Sequence, residues 1–148
     1  MARKINKIFV HCTASRQTWT VDALLREFTA KGWHYPGYHW VVEKDGKRTQ
    51  LMIEDLPSNG VKGHNSDSIN IAYMGSISRT GKPIDNRTPE QKQSLRELLQ
   101  ELRQRYPDAK IMGHRDISPD LNHNGKVDPW ERIKECPCFD AIEEYADI

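Results

Sequence analysis

The sequence predicts an α/β fold, a single domain with a central mixed β-sheet and helices packed on its faces. Three observations carry that expectation. Short apolar, β-rich runs recur at strand length, and longer segments set apolar residues at helical spacing. The two kinds follow one another in the order βαβββαβ before a short C-terminal helix. With 148 residues, 36% hydrophobic and 29% charged, the chain can bury one core without disulfide staples. No internal repeat, low-complexity tract or linker divides it, so residues 1–148 read as one domain.

Each element has its own signal. Ile5 to His11, with Ile8, Phe9 and Val10, is an apolar run of strand length. Thr20 is placed to cap a helix whose Val21, Leu24, Leu25 and Phe28 recur at helical spacing, with Gly32 closing it. Tyr38 to Glu43 predicts a second strand and Arg48 to Ile53 a third. Lys44-Asp45-Gly46-Lys47 forms the hairpin turn between them. Ile69 to Met74 is apolar enough for a central strand. Thr88-Pro89-Glu90-Gln91 is a strong helix start, with a capping Thr, Pro at the first helical position and Gln completing a capping box. Leu95, Leu98, Leu99 and Leu102 then make one apolar stripe. Lys110 to Gly113 is a last short strand, and a short helix follows near Asp140 to Tyr145.

Composition narrows the function classes. Twenty-two Lys and Arg against 21 Asp and Glu leave a net charge of +1, so no basic excess points at nucleic acid. The 3 cysteines, Cys12, Cys136 and Cys138, form no regular disulfide framework. The apolar stretch near the start is too short for a signal-peptide core, and no run is long enough to span a bilayer. The expectation is a protein made and folded in the cytoplasm without a membrane partner. If its substrate lies outside, something else must deliver it.

Three residues at strand ends could hold a metal: His11, His114 and Cys136. Ligands at the ends of neighbouring strands converge even when far apart in sequence. Two imidazoles and a thiolate suit Zn²⁺, with a fourth position left for water. The plainer reading is two ordinary strand-end histidines. Cys136 and Cys138 flank Pro137, and one ion is seldom chelated by Cys-X-Cys, so one of the two sulfurs is expected to ligate and the other to pack as a small apolar group. Cys12, next to His11 on a strand, must point the other way, into the core.

With these residues in hand, the chain resembles the type-2 N-acetylmuramoyl-L-alanine amidases, the family of the T7 phage lysozyme and the peptidoglycan recognition proteins. Val10-His11-Cys12-Thr13-Ala14-Ser15 resembles the family's first ligand motif, and Gly37-Tyr38-His39-Trp40 its Gly-Tyr-His-aromatic strand. Ser68-Ile69-Asn70-Ile71 resembles its Ser-Ile-Gly-hydrophobic strand, and Thr88-Pro89 with Gln93-Ser94-Leu95 its long helix. Gly113-His114-Arg115-Asp116 and Lys134-Glu135-Cys136-Pro137-Cys138-Phe139-Asp140 match the second and third ligand motifs. Ordered motifs at compatible spacings over nearly the whole chain are far more specific than any one of them.

The resemblance implies an amidase/recognition-protein fold and a zinc-dependent hydrolase cutting the lactyl–L-alanine amide of peptidoglycan, in the manner of a phage lysin. It implies His11, His114 and Cys136 as Zn²⁺ ligands, Tyr38 as the catalytic tyrosine and Lys134 as the catalytic lysine. Judged on residue type alone, Tyr38 would be a core-packing strand aromatic and Lys134 a solvated surface charge. Two departures stand out. Where the family often carries a His before Lys-Gly-X-Asn, this chain reads Gly60-Val61-Lys62-Gly63-His64-Asn65, which makes His64 and Asn65 candidate substrate contacts. The segment between His114 and Cys136 is also longer than in the T7 protein. Within that insertion, near residues 118–133, Asp120, Asn122, Asn124, Asp128 and Glu131 with Gly125 fit the spacing of a twelve-residue Ca²⁺ loop. A turn-rich surface loop on which Trp130 packs fits the same residues.

Two other classes compete with the enzyme: a peptidoglycan-binding module of the same fold without catalysis, and a protein that acts by inhibiting a partner. Recognition proteins of the first kind typically lack the cysteine ligand, so Cys136, Tyr38 and Lys134 favour the enzyme. Nothing in the sequence identifies a protein partner.

Overall fold

The computed structural model describes residues 3–118, 121, 123 and 135–148. Five strands form one sheet: β1 (Lys7–Cys12), β2 (Trp40–Val42), β3 (Arg48–Gln50), β4 (Ser68–Tyr73) and β5 (Lys110–Gly113). Their order is β3-β2-β4-β1-β5. All neighbours are parallel except β2 and β3, which are antiparallel. The mixed sheet is the one the sequence predicts.

Alternation along the strands sorts side chains between two cores. Ile8, Val10 and Cys12 of β1 and Ile69, Ile71 and Tyr73 of β4 face α2 (Pro89–Arg105), whose Leu95, Leu98, Leu99 and Leu102 are all buried against them. Cys12 thus sits in the core, as expected. Ala72 of β4, Met74 just after it and Val41 of β2 turn to the other face, under Leu24 and Phe28 of α1 (Val21–Ala30). Leu25 breaks the predicted stripe: it is 38% exposed, a position too far round the helix to reach the sheet.

The caps form as the sequence predicts. Thr20 Oγ1 accepts from the Ala23 N–H at 3.1 Å. Thr88 Oγ1 accepts from the Gln91 N–H at 3.1 Å while Gln91 Oε1 accepts from the Thr88 N–H at 2.9 Å, closing the capping box. The buried Gln91 also donates through Nε2 to the Met74 carbonyl at 2.9 Å, tying the helix start to the end of β4.

The second and third strands are shorter than predicted. The Asn70 N–H, which would extend the ladder toward Tyr38, donates instead to His39 Nδ1 at 3.0 Å, so β2 begins at Trp40. β3 then loses its partner beyond Gln50, after one further bond from the Leu51 N–H to the His39 carbonyl at 2.7 Å.

The C-terminal helix α3 (Ala141–Glu144) is capped by Asp140 and held by a buried arginine. Arg87, its side chain 2% exposed, bonds Asp85 at 2.9 Å, pairs with the Glu144 carboxylate and lies 3.4 Å over the Phe139 ring. Loss of one partner of a buried ion pair costs about 3–5 kcal/mol. Here the acids are 30% and 39% exposed and can turn to water. Arg87→Ala is therefore expected to lower stability by about 2–3 kcal/mol, less than that range. The shift of the urea midpoint measures it, and an unchanged midpoint would show that the contact holds nothing.

Candidate metal centre

Parallel pairing builds the site. Val10 of β1 lies opposite Gly113 of β5, so the residues that follow, His11 and His114, are brought side by side at the same edge of the sheet. Their rings stand 4.9 Å apart at 73°. His114 opens a 3₁₀ turn (His114–Ile117) whose Asp116 carboxylate accepts from the Gly113 N–H at 2.7 Å. The third residue arrives from the C-terminal segment. The Arg115 N–H donates to the Cys136 carbonyl at 2.7 Å, and the Tyr73 hydroxyl donates to the Pro137 carbonyl at 2.6 Å. Gly113 makes this approach feasible, since a Cβ there would stand 2.6 Å from the Pro137 ring.

The outcome is one cluster: one donor atom each from His11, His114 and Cys136, all within 4.8 Å of one another. His11 Nδ1 lies 3.8 Å from Cys136 Sγ. Tetrahedral Zn²⁺ with Zn–N of about 2.0 Å and Zn–S of about 2.3 Å needs donors roughly 3.3–3.5 Å apart, so the His11–Cys136 pair is within a few tenths of an ångström of that spacing and the set as a whole must draw in to hold the ion. The Cys12 N–H donates to Cys136 Sγ at 3.1 Å, which fixes the sulfur beside the end of β1. Of the two candidate sulfurs, Cys136 joins the cluster. Cys138 packs against the core, its thiol pushed up first by its bond to Cys12 and then by burial. The Cys12 thiol is pushed up to about 12, first by its contact with Cys136. Both of these sulfurs stay protonated.

The cluster forms one wall of a cleft of about 280 Å³, which α1 and the loop after it complete with Glu27, Lys31, Trp33 and Tyr38. Tyr38 donates from its hydroxyl to the Cys12 carbonyl at 3.2 Å, with its ring 5.1 Å from that of His11. Burial, then the neighbouring Cys136, pushes its phenol well above the ordinary value of 10, so it remains a proton donor. A larger depression of about 640 Å³ lies beside Arg16 and Arg79 but contains neither histidine nor cysteine, so the smaller cleft is the candidate site.

Other expected site residues fall elsewhere. His64 packs edge-on against Phe9 and meets Lys7 Nζ at 3.4 Å, while Asn65 Oδ1 accepts from the Val61 N–H at 2.8 Å. From that loop Asn59 and Gly60, not His64 or Asn65, line the cleft. Lys134 and the calcium-loop candidates Asp120, Asn122, Asn124, Asp128 and Glu131 lie outside the described residues. Sequence reasoning passed over Asn70, whose amide meets His11, and His39, which holds the Asn70 peptide. A polar residue inside an otherwise apolar strand, where the family motif carries Gly, was the available signal.

Fold and cluster together define the class: an α/β protein with a His-His-Cys group that could hold a metal, two of its members at the ends of adjacent parallel strands. A family model described as N-acetylmuramoyl-L-alanine amidase matches residues 1–131. The chain is 35% identical over 142 residues to the endolysin of Klebsiella phage KP32, covering 93% of this chain and 83% of that one. To the endolysin of Escherichia phage T7 it is 33% identical over 135 residues, covering 90% and 80%. A solved structure, the endolysin N-acetylmuramoyl-L-alanine amidase LysCS from Clostridium intestinale URNW, superposes with a TM-score of 0.75 at 23% identity, over 98% of this chain and 83% of that one. At that identity the likeness speaks for the fold. The chain belongs to the N-acetylmuramoyl-L-alanine amidase family, hydrolases of an amide bond. Among the described residues, no helix is long and apolar enough to cross a membrane.

Proposed function

We propose that this chain is a zinc-dependent N-acetylmuramoyl-L-alanine amidase that hydrolyses the lactyl–L-alanine amide of peptidoglycan, in the manner of a phage lysin. The observation that carries the reading is the convergence of His11, His114 and Cys136 on one wall of an open cleft. Zn²⁺ held by these three donors would supply an activated water near neutral pH and a Lewis acid for the scissile carbonyl. The protein's own groups do the rest. Tyr38, protonated and at the cleft wall, donates a hydrogen bond to the reacting oxygen or passes its proton toward the leaving amine. Lys134, two residues before Cys136, supplies the positive charge that the developing oxyanion needs. Glu27 of α1 and Lys31 just after it give the cleft charged groups that can engage the polar stem peptide. A thiolate among the ligands favours this reading over a binding module without catalysis.

Elemental analysis of the purified protein should find about one zinc per chain. Chelation should stop the release of free L-alanine amino termini from purified cell walls, and added zinc should restore it. A metal-free sample that still releases those termini would overturn the reading.

A further inference from the structure

The imidazole of His11 is held by more than its strand. Its Nε2 lies 2.7 Å from Oδ1 of Asn70, with both residues buried. The amide is itself held on its other sides. Asn70 Nδ2 donates to Ser58 Oγ at 2.8 Å, and the Asn70 backbone N–H donates to His39 Nδ1 at 3.0 Å. Gly60 leaves the space the amide fills, because a Cβ there would stand 2.3 Å from Asn70 Cγ and Oδ1. A buried amide in an apolar strand is costly unless its polar atoms are satisfied, and here the carbonyl oxygen, the amino group and the backbone N–H all have partners.

The arrangement fixes which nitrogen of His11 is available. An amide oxygen only accepts, so the proton sits on Nε2 and the lone pair on Nδ1. Nδ1 is the atom 3.8 Å from Cys136 Sγ, facing the cluster. The reverse orientation of the amide would demand an unprotonated Nε2 and put the proton on Nδ1, where it would block the ion.

We infer that Asn70 is a positioning residue of the metal centre. It sets the tautomer and ring orientation of His11 so that Nδ1 points at the ion, and Ser58 and Gly60 hold it in that role. The inference rests on the zinc reading above. Outer partners of this kind change metal affinity by about 10–100-fold when removed.

The test is zinc affinity by competition with a chromogenic chelator, with the visible spectrum of the cobalt(II)-substituted protein as a second readout. Asn70→Ala is expected to weaken zinc binding by about 10–100-fold and to alter the cobalt bands, while Asn70→Asp, which accepts at the same place, restores both. Ser58→Ala, which frees the amide without removing it, should weaken binding in the same direction by about tenfold, and carries the test if Asn70→Ala does not fold. Equal zinc affinity in the wild type and in these variants overturns the role of Asn70 and leaves the zinc reading standing. A wild-type protein that takes up no zinc removes both.

Discussion

Cys136→Ala is expected to remove bound zinc and to reduce amide hydrolysis by at least about a thousandfold, some 4 kcal/mol of transition-state stabilisation, while leaving the fold intact. The argument starts from the donor set. His11 and His114 alone would leave two neutral imidazoles, and the thiolate is the single charged ligand among the three. Its loss therefore removes both a donor and the charge that offsets the ion. The fold's stake in that sulfur is modest, one bond from the Cys12 N–H at 3.1 Å. The segment is pinned by the Arg115 N–H on the Cys136 carbonyl at 2.7 Å and by Tyr73 on the Pro137 carbonyl at 2.6 Å, and neither contact uses the side chain. The urea midpoint of the metal-free variant should stay within about 1 kcal/mol of the metal-free wild type. Cys138→Ala is the matched control: this sulfur packs on the core, so zinc and activity should persist within about twofold and any loss should appear in stability, at about 1 kcal/mol. Full activity in Cys136→Ala, or its loss in Cys138→Ala alone, would reassign the ligand.

The contrast between those cysteines marks how far the residues alone reach. Element order was legible because its signals are local, such as the Thr88–Gln91 capping box and the leucine stripe of α2, both present in the structure. Strand lengths were not, because what trims β2 is a tertiary event, the capture of the Asn70 N–H by the His39 ring. The ligand triad was legible as residue types at strand ends and through the family motifs. Its convergence depends on the register of β1 against β5, which no local pattern encodes. Asn70 shows the same limit from the other side. A polar side chain inside a buried strand needs a partner, but only the fold reveals that the partner is His11. For His64 and Asn65, the loop that follows Gly60 turns their side chains toward Lys7 and Val61, a placement no local pattern encodes.

A second large effect is expected in the pH dependence of stability, from His39. Its ring is fully buried, accepts from the Asn70 N–H and donates from Nε2 to the Leu56 carbonyl at 2.7 Å. Burial above all holds its pKa down to about 4, against an ordinary 6.5. Below pH 6.5 the unfolded chain takes up a proton that the folded ring refuses until about pH 4. Over that window the unfolded state binds more protons, so stability falls as the pH falls, by about 3 kcal/mol when the window has been crossed. The carboxylates of Asp85 and Glu144, which Arg87 holds low against burial, lose their contribution as the pH falls from the ordinary carboxylate range through their own depressed values, at the acid end of this window and beneath it. Urea midpoints at pH 7 and 5 should therefore differ markedly in the wild type and much less in His39→Gln, whose side chain does not titrate. Equal differences in the two proteins would remove the ring as the cause. Because the same imidazole holds the Asn70 peptide, and Asn70 holds His11, protonating it also loosens the support beneath the metal ligands. Zinc affinity should then fall more steeply between pH 6.5 and 5 in the wild type than ligand protonation alone produces, and His39→Gln should lack that extra slope.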